Sequence, residues 1–218
     1  MSVIGIDEAG RGPVIGSLFM AGVVVKPSQK QILKKWGVKD SKLINAEKRE
    51  LLYEKIINKF PHKIISFSAQ EIDEVLAKGH HLNLNKLEAR GHAELVNAFE
   101  LTKAIIDCPQ KNTKGFTDYL RPMISDKNIL LVVENKADSN YLEAAAASIL
   151  AKVSRDREIR SLHQEIGIDF GSGYLTDPKT QPFLQAHWNT YPHLFRTQWA
   201  PYKALKEKTA QPGLSSFM

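Results

Sequence analysis

The chain has 218 residues, 43% of them hydrophobic and 25% charged, with 30 Lys or Arg against 24 Asp or Glu and a formal charge of +6. This composition supports one ordinary domain with a packed core and room for a small appendage, and it excludes a chain disordered throughout. One cysteine, Cys108, excludes an intramolecular disulfide and a cysteine-rich zinc site; no apolar run reaches the ~20 residues that span a bilayer, and no basic stretch opens the chain like a signal peptide, so the expected setting is cytoplasmic.

Residues 3–7 read as a strand that ends in two adjacent carboxylates, Asp7 and Glu8, and then in a turn, Gly10-Arg11-Gly12-Pro13. Two anions held together need a cation or a proton to offset them, and an Arg on a Gly turn beside them invites an anionic ligand. Residues 18–25 read as a second strand and residues 29–36 as a short helix. Residues 46–60 make a stronger helix, with Leu51, Leu52, Ile56 and Ile57 on one stripe and Pro61 after it. Residues 30–63 hold ten Lys or Arg against four Asp or Glu, a basic segment able to attract a polyanion.

Residues 63–69 alternate like a strand, and residues 70–78 suit a short helix. Asn83 or Asn85 can cap a longer helix reaching residue 99. Residues 102–107 read as a strand ending in Asp107, residues 111–124 as a helix, and residues 129–134 as a buried strand ending in Glu134. Residues 142–165 form the strongest helix of the chain. A Gly-rich loop over residues 171–178 and two or three short helices follow. Early strands joined by turns and later ones joined by helices predict a mixed sheet, antiparallel first and parallel later.

Three strands thus deliver acids near their C-terminal ends: Asp7 with Glu8, Asp107, and either Asp138 or Glu134. That edge of an open α/β sheet is the usual ligand site. Oxygen-only donors suit Mg²⁺ or Mn²⁺, and two such ions can drive phosphodiester hydrolysis. Each acid alone has a plainer reading, as a turn former at Asp107, a helix N-terminal anion at Asp138 or a surface group at Glu8.

Longer motifs go further. Gly5-Ile-Asp-Glu-Ala-Gly-Arg-Gly-Pro13, Asp40-Ser-Lys42, Lys136-Ala-Asp138, Ala146-Ala-Ser-Ile-Leu-Ala-Lys152, Arg155-Asp-Arg-Glu158, Gly171-Ser-Gly-Tyr174 and Asp177-Pro-Lys-Thr180 occur in an order that resembles ribonuclease HII, most closely its archaeal members. The resemblance runs from about residue 3 to residue 199. It implies an α/β ribonuclease H-like fold: a five-stranded mixed sheet flanked by helices, with a C-terminal helical extension. The expected division is a catalytic domain over 1–170, the extension over 171–209 and a tail over 210–218.

The resemblance also implies hydrolysis of the RNA strand of RNA–DNA hybrids and incision 5′ of ribonucleotides embedded in duplex DNA, leaving 3′-hydroxyl and 5′-phosphate ends. The alternative is another two-metal nuclease of this fold acting on DNA alone. Two Mg²⁺ or Mn²⁺ ions fall to Asp7, Glu8, Asp107 and Asp138, with Asp138 taken over Glu134 because it lies in the Lys-Ala-Asp motif. The family commonly has His where this chain has Asn135. Gly10, Arg11 and Gly12 are expected at the ribose 2′-hydroxyl and Tyr174 against the neighbouring deoxyribose. Ser148, Lys152 and Arg155 share a helix face and are expected, with Lys42, at phosphates. In the tail, Gln211, Leu214, Phe217 and Met218 resemble a sliding-clamp binding box. A monomer is expected.

Overall fold

The structure is a computed structural model that describes residues 2–39, 41, 44–79 and 83–210. Its five-stranded sheet has the order β3-β2-β1-β4-β5. β1 (Val3–Ala9) pairs antiparallel with β2 (Leu18–Val25), which pairs antiparallel with β3 (His62–Phe67). On its other side β1 runs parallel to β4 (Lys103–Asp107), and β4 runs parallel to β5 (Leu130–Glu134). The sheet is therefore antiparallel first and parallel later, as the connections predict, and β1 is its central strand.

Helices α1 (Lys30–Trp36), α2 (Ala46–Lys59), α3 (Ala69–Ala77) and α4 (Leu84–Asn97) precede β4. Asn45, Ser68 and Asn83 each accept a hydrogen bond from the backbone N–H three residues on, which fixes the starts of α2, α3 and α4. In α2 only Leu52 and Ile56 of the expected stripe are buried; Leu51 is 60% exposed. The helix rests on the sheet assembly through a narrower face than four aliphatics suggest. The helix expected over residues 111–124 divides into α5 (Thr113–Leu120) and a single 3₁₀ turn, Arg121–Met123, because Pro122 has no N–H to continue the ladder.

The four-residue α6 (Ala137–Asn140) separates β5 from α7 (Leu142–Ile166), and α8 (Thr180–His187) and α9 (Ala200–Ala210) follow among the described residues. Helix α7 lies across one face of β1 and β2. Its first turn comes so close to Gly5 that a Cβ there would sit 2.0 Å from the Glu143 carbonyl carbon; the alanines after Glu143 keep the rest of that contact thin. Ala145, Ala146, Ala147, Ile149 and Leu150 pack with Ala21, Val23, Leu52 and Ile56 on this side. The other face carries Ile4, Ile6 and Met20 against Ala93, Val96 and Phe116 from α4 and α5. A third cluster joins Val14 and Ile15 to Phe170, Phe183, Leu194, Phe195 and Tyr202, so the C-terminal extension packs on the loop that follows β1.

Candidate active site

The C-terminal ends of β1 and β4 open into a cleft of about 310 Å³. Its lining includes Asp7, Glu8, Gly10, Arg11, Ser41, Asp107, Ser148, Lys152, Arg155 and Tyr174. Successive strand residues point to opposite faces of a sheet, so Asp7 and Glu8 part company at once. Asp7 turns toward α7, where Ser148 hydrogen-bonds its carboxylate. Glu8 turns toward α4, where its Oε2 lies 3.8 Å from His92 Nε2. Asp107 ends β4, and its Oδ1 accepts from Ala137 N at 2.7 Å. That bond fixes the start of α6 and carries Asp138, itself only 3% exposed, to the same edge.

The charges show how closely the acids are gathered. Burial pushes the pKa of Asp7 up to about 8, the charges of Asp107 and Asp138 add to the rise, and hydrogen bonds from Ser148 and Glu8 N oppose it. Burial also raises Glu8 well above the ordinary range, with help from Glu88, Asp7 and Asp107 and against the pull of Arg11. Glu8 Oε2 is buried without a hydrogen-bond partner. Oxygen donors, mutual repulsion and an unmatched carboxylate oxygen fit a hard divalent cation of the Mg²⁺ or Mn²⁺ type. Among the described residues, no three His, Cys, Asp or Glu side chains already close into a ready ligand set. Glu134, the competing acid, pairs with Asp107 in register, and its Oε1 accepts from Asn140 Nδ2 at 3.0 Å.

The Gly-Arg-Gly turn forms the mouth of the cleft. Gly10 has φ of +88°, and a Cβ there would meet the Ser17 carbonyl oxygen at 2.5 Å, so only glycine serves. Gly12 faces Tyr174, whose Cε1 lies 3.8 Å from where a Cβ would be. The Arg11 side chain is committed to α4: Nε donates to Glu88 Oε1 at 2.8 Å and Nη2 to Asn85 Oδ1 at 2.7 Å. Arg155 lies beneath the cleft wall, 2% exposed; its Nη2 donates to Ser172 O at 2.5 Å, and its guanidinium stacks 4.7 Å from the Tyr174 ring centre. It backs the tyrosine and does not project into solvent as a phosphate hand. Lys152 lines the cleft but pairs with Asp156 one turn on. Ser148 Oγ also bonds Ser41 Oγ at 2.8 Å. Lys42, Gln211, Leu214, Phe217 and Met218 lie outside the described residues.

Glu88, His92 and Arg196 are not among the residues that the sequence singled out, and Asn135 takes a place of its own. Glu88 and His92, both fully buried on α4, stand behind Glu8. His92 Nδ1 donates to the Glu88 carbonyl at 2.8 Å, and burial lowers its pKa to about 4. Their spacing of four puts them on one face of the helix, the one trace of them in the sequence. Arg196, from the C-terminal extension, is also fully buried and donates to carbonyls of the turn. Asn135 Nδ2 donates to Cys108 O and Gln110 O, both at 2.9 Å, tying the β4 end to the β5 end.

Residues 4–202 match the family model described as ribonuclease HII. The ribonuclease HII of Methanobrevibacter smithii is 38% identical over 211 residues, covering 94% of this chain and 99% of that one. The crystal structure of ribonuclease H2 from Pyrococcus horikoshii OT3 superposes with a TM-score of 0.87 at 34% identity, over 97% of this chain and 100% of that chain. The ribonuclease HII in the structure of the PCNA:RNase HII complex from Archaeoglobus fulgidus superposes with a TM-score of 0.81 at 35% identity, over 99% of this chain and 100% of that chain.

Proposed function

This chain belongs to the ribonuclease HII family and is an endonuclease acting on the RNA of RNA–DNA hybrids; we propose that it also incises duplex DNA on the 5′ side of an embedded ribonucleotide, leaving 3′-hydroxyl and 5′-phosphate ends. The observation that carries this reading is the opposition of Gly12 and Tyr174 across the mouth of an acid-floored cleft. Only RNA has a 2′-hydroxyl, so selective cleavage needs polar groups that approach one ribose closely and an apolar surface for its neighbour. Gly10, Arg11 and Gly12 supply the approach through their backbone. The Tyr174 ring supplies a stacking surface for the adjacent deoxyribose, where a second hydroxyl clashes.

Asp7, Glu8, Asp107 and Asp138 hold two Mg²⁺ or Mn²⁺ ions in this reading. When bound, the ions supply an activated water and offset charge on the leaving 3′ oxygen. The protein does the rest by position. Ser148 orients the Asp7 carboxylate. Lys152 exchanges Asp156 for a substrate phosphate, and Lys42 is the second candidate for a phosphate. Arg155 holds the loop that presents Tyr174. Arg11 braces the turn against Glu88 and Asn85. We assign the catalytic domain to 1–170, the substrate-binding extension to 171–209 and the clamp-binding tail, with Gln211, Leu214, Phe217 and Met218, to 210–218. The relative from Archaeoglobus fulgidus, described in complex with PCNA, supports a clamp partner. The protein acts as a monomer, and among the described residues no helix is long and apolar enough to cross a membrane.

The test is a duplex with one embedded ribonucleotide beside an all-DNA control, with Mg²⁺ or Mn²⁺. A cut 5′ of the ribonucleotide and an intact control are expected. Equal cutting of both duplexes, or of neither, overturns the proposal.

A further inference from the structure

We infer that Arg196 sets the ribonucleotide selectivity of the cleft by locking the peptide planes of the Gly10–Gly12 turn from beneath; the inference rests on the proposed reading of that turn. Arg196 is 0% exposed. Among the described residues its side chain donates to backbone carbonyls alone: Nε to Gly16 O at 2.9 Å, Nη1 to Arg11 O at 2.8 Å and Nη2 to Gly10 O at 2.5 Å. Its own N–H donates to Val14 O at 2.9 Å, and the Trp199 ring centre lies 4.9 Å from its guanidinium carbon. Burial lowers its pKa to about 10, which leaves it charged at neutral pH.

In a trans peptide the C=O of one residue and the N–H of the next point in opposite directions, and the described chain has no cis bond. Drawing the carbonyls of Gly10 and Arg11 down onto one guanidinium therefore turns the N–H groups of Arg11 and Gly12 the other way. Gly16 shows the rule within the same loop. Its carbonyl goes to Arg196, and the following N–H, of Ser17, donates to Glu158 Oε2 at 2.9 Å. For Arg11 and Gly12 the side away from Arg196 is the side of the cleft, where Gly10 and Arg11 line the mouth and Gly12 faces Tyr174. Two donors are thus held ready for a ribose hydroxyl before any substrate arrives.

The clamp is matched on the opposite wall. Arg155 holds Ser172 O and stacks on Tyr174, and Val14 N donates to Gly173 O at 2.9 Å, joining the two loops. Arg196 touches no substrate in this scheme; it is a positioning residue. Its fork is essential because three carbonyls accept from three separate nitrogens. A lysine ammonium is a compact point charge that cannot reach all three in those directions.

The experiment measures fluorescence anisotropy with labelled duplexes, one containing a single ribonucleotide and one all DNA, with Ca²⁺ in place of the activating ion. The readout is the ratio of the two dissociation constants, because partial unfolding changes both constants together and leaves the ratio alone. Arg196→Lys is expected to lower the preference for the ribonucleotide by about tenfold, the worth of one well-aimed hydrogen bond, with binding to the all-DNA duplex unchanged. A folded Arg196→Lys protein with the wild-type ratio overturns the inference. Should Arg196→Lys not fold, Trp199→Phe keeps all three hydrogen bonds while reducing the ring stacked on the guanidinium. It is expected to lower the ratio in the same direction, and an unchanged ratio there overturns the inference equally. If the wild-type protein itself does not distinguish the duplexes, the proposed function fails first, and the ratios of the variants carry no separate meaning.

Discussion

Removing the charge of Asp7 is expected to end cleavage and, in the absence of metal, to stabilise the fold. Asp7→Asn keeps the acceptor for Glu8 N, which reaches Oδ1 at 2.7 Å. It deletes a negative charge from a buried site shared with Asp107 and Asp138. Without metal at pH 7, the wild-type carboxyl is protonated in the folded chain, where its pKa is about 8, and ionised in the unfolded chain, where its ordinary value is 3.8. Holding that proton over about three pH units costs on the order of 4 kcal/mol. Relaxation of the site and its water reduces this to about 2–4 kcal/mol. For a domain of this size, each kcal/mol moves the melting temperature by about 2–4 °C. Asp7→Asn in a chelator at pH 7 should therefore melt about 4–16 °C above wild type. The sign with pH follows from the raised folded pKa. The stabilising share of Asp7 is complete below its unfolded pKa and is lost as the pH rises toward 8. The gap between variant and wild type should grow from pH 4 to pH 8 and level off above it. Calorimetry across that range, with chelator present, is the assay. A variant less stable than wild type at pH 7, or a gap that does not widen with pH, refutes this account of the carboxylate cluster.

Two other outcomes are expected. Tyr174→Phe should keep most activity on a single embedded ribonucleotide, because the ring makes the contact. Tyr174→Ala should lower kcat/KM by about 10- to 100-fold, the worth of one base-like stacking surface of ~1–3 kcal/mol; steady-state rates on the two variants decide it. A chain ending at Ala210 should lose affinity for a sliding clamp while cutting free duplex at the wild-type rate, as surface plasmon resonance and a cleavage assay will show together.

Asp7, Glu8 and Asp107 were legible as candidate ligands because each stands where a strand pattern stops, and a strand end is visible in apolar alternation; Asp138, inside α6, was preferred to Glu134 only through the resemblance. Their division between two faces was less obvious, yet it follows from the same alternation: Asp7 and Glu8 are neighbours in sequence and opposites in space. Glu88 and His92 carry the spacing of a helix face, but on a helix with many polar residues that spacing does not say which side is buried. Arg196 left no trace because its partners are backbone carbonyls, which every residue has. Arg155 shares a face with Ser148 and Lys152 as the spacing requires, but depth along α7 decides its role. By residue 155 the helix runs under the Ser172–Tyr174 loop, so that side chain meets protein. The short α6 was missed because its cap, Lys136, takes φ of +61°, a conformation that a lysine does not advertise.

The loop after β1 is completed by the far end of the chain. Ile15 bridges to Phe195, Gly16 N donates to Leu194 O at 3.1 Å, and Arg196 seizes three carbonyls about 180 residues upstream. Chains are made from the N-terminus, and contacts so distant in sequence form late. A growing chain can assemble its sheet and gather its acids well before residue 196 exists. The turn proposed above to meet the ribose is then among the last parts of the chain to be held in place. Order of synthesis thus separates two events: the acids come from residues 7 to 138, while the guanidinium that holds the carbonyls of Gly10, Arg11 and Gly16 arrives only with residue 196.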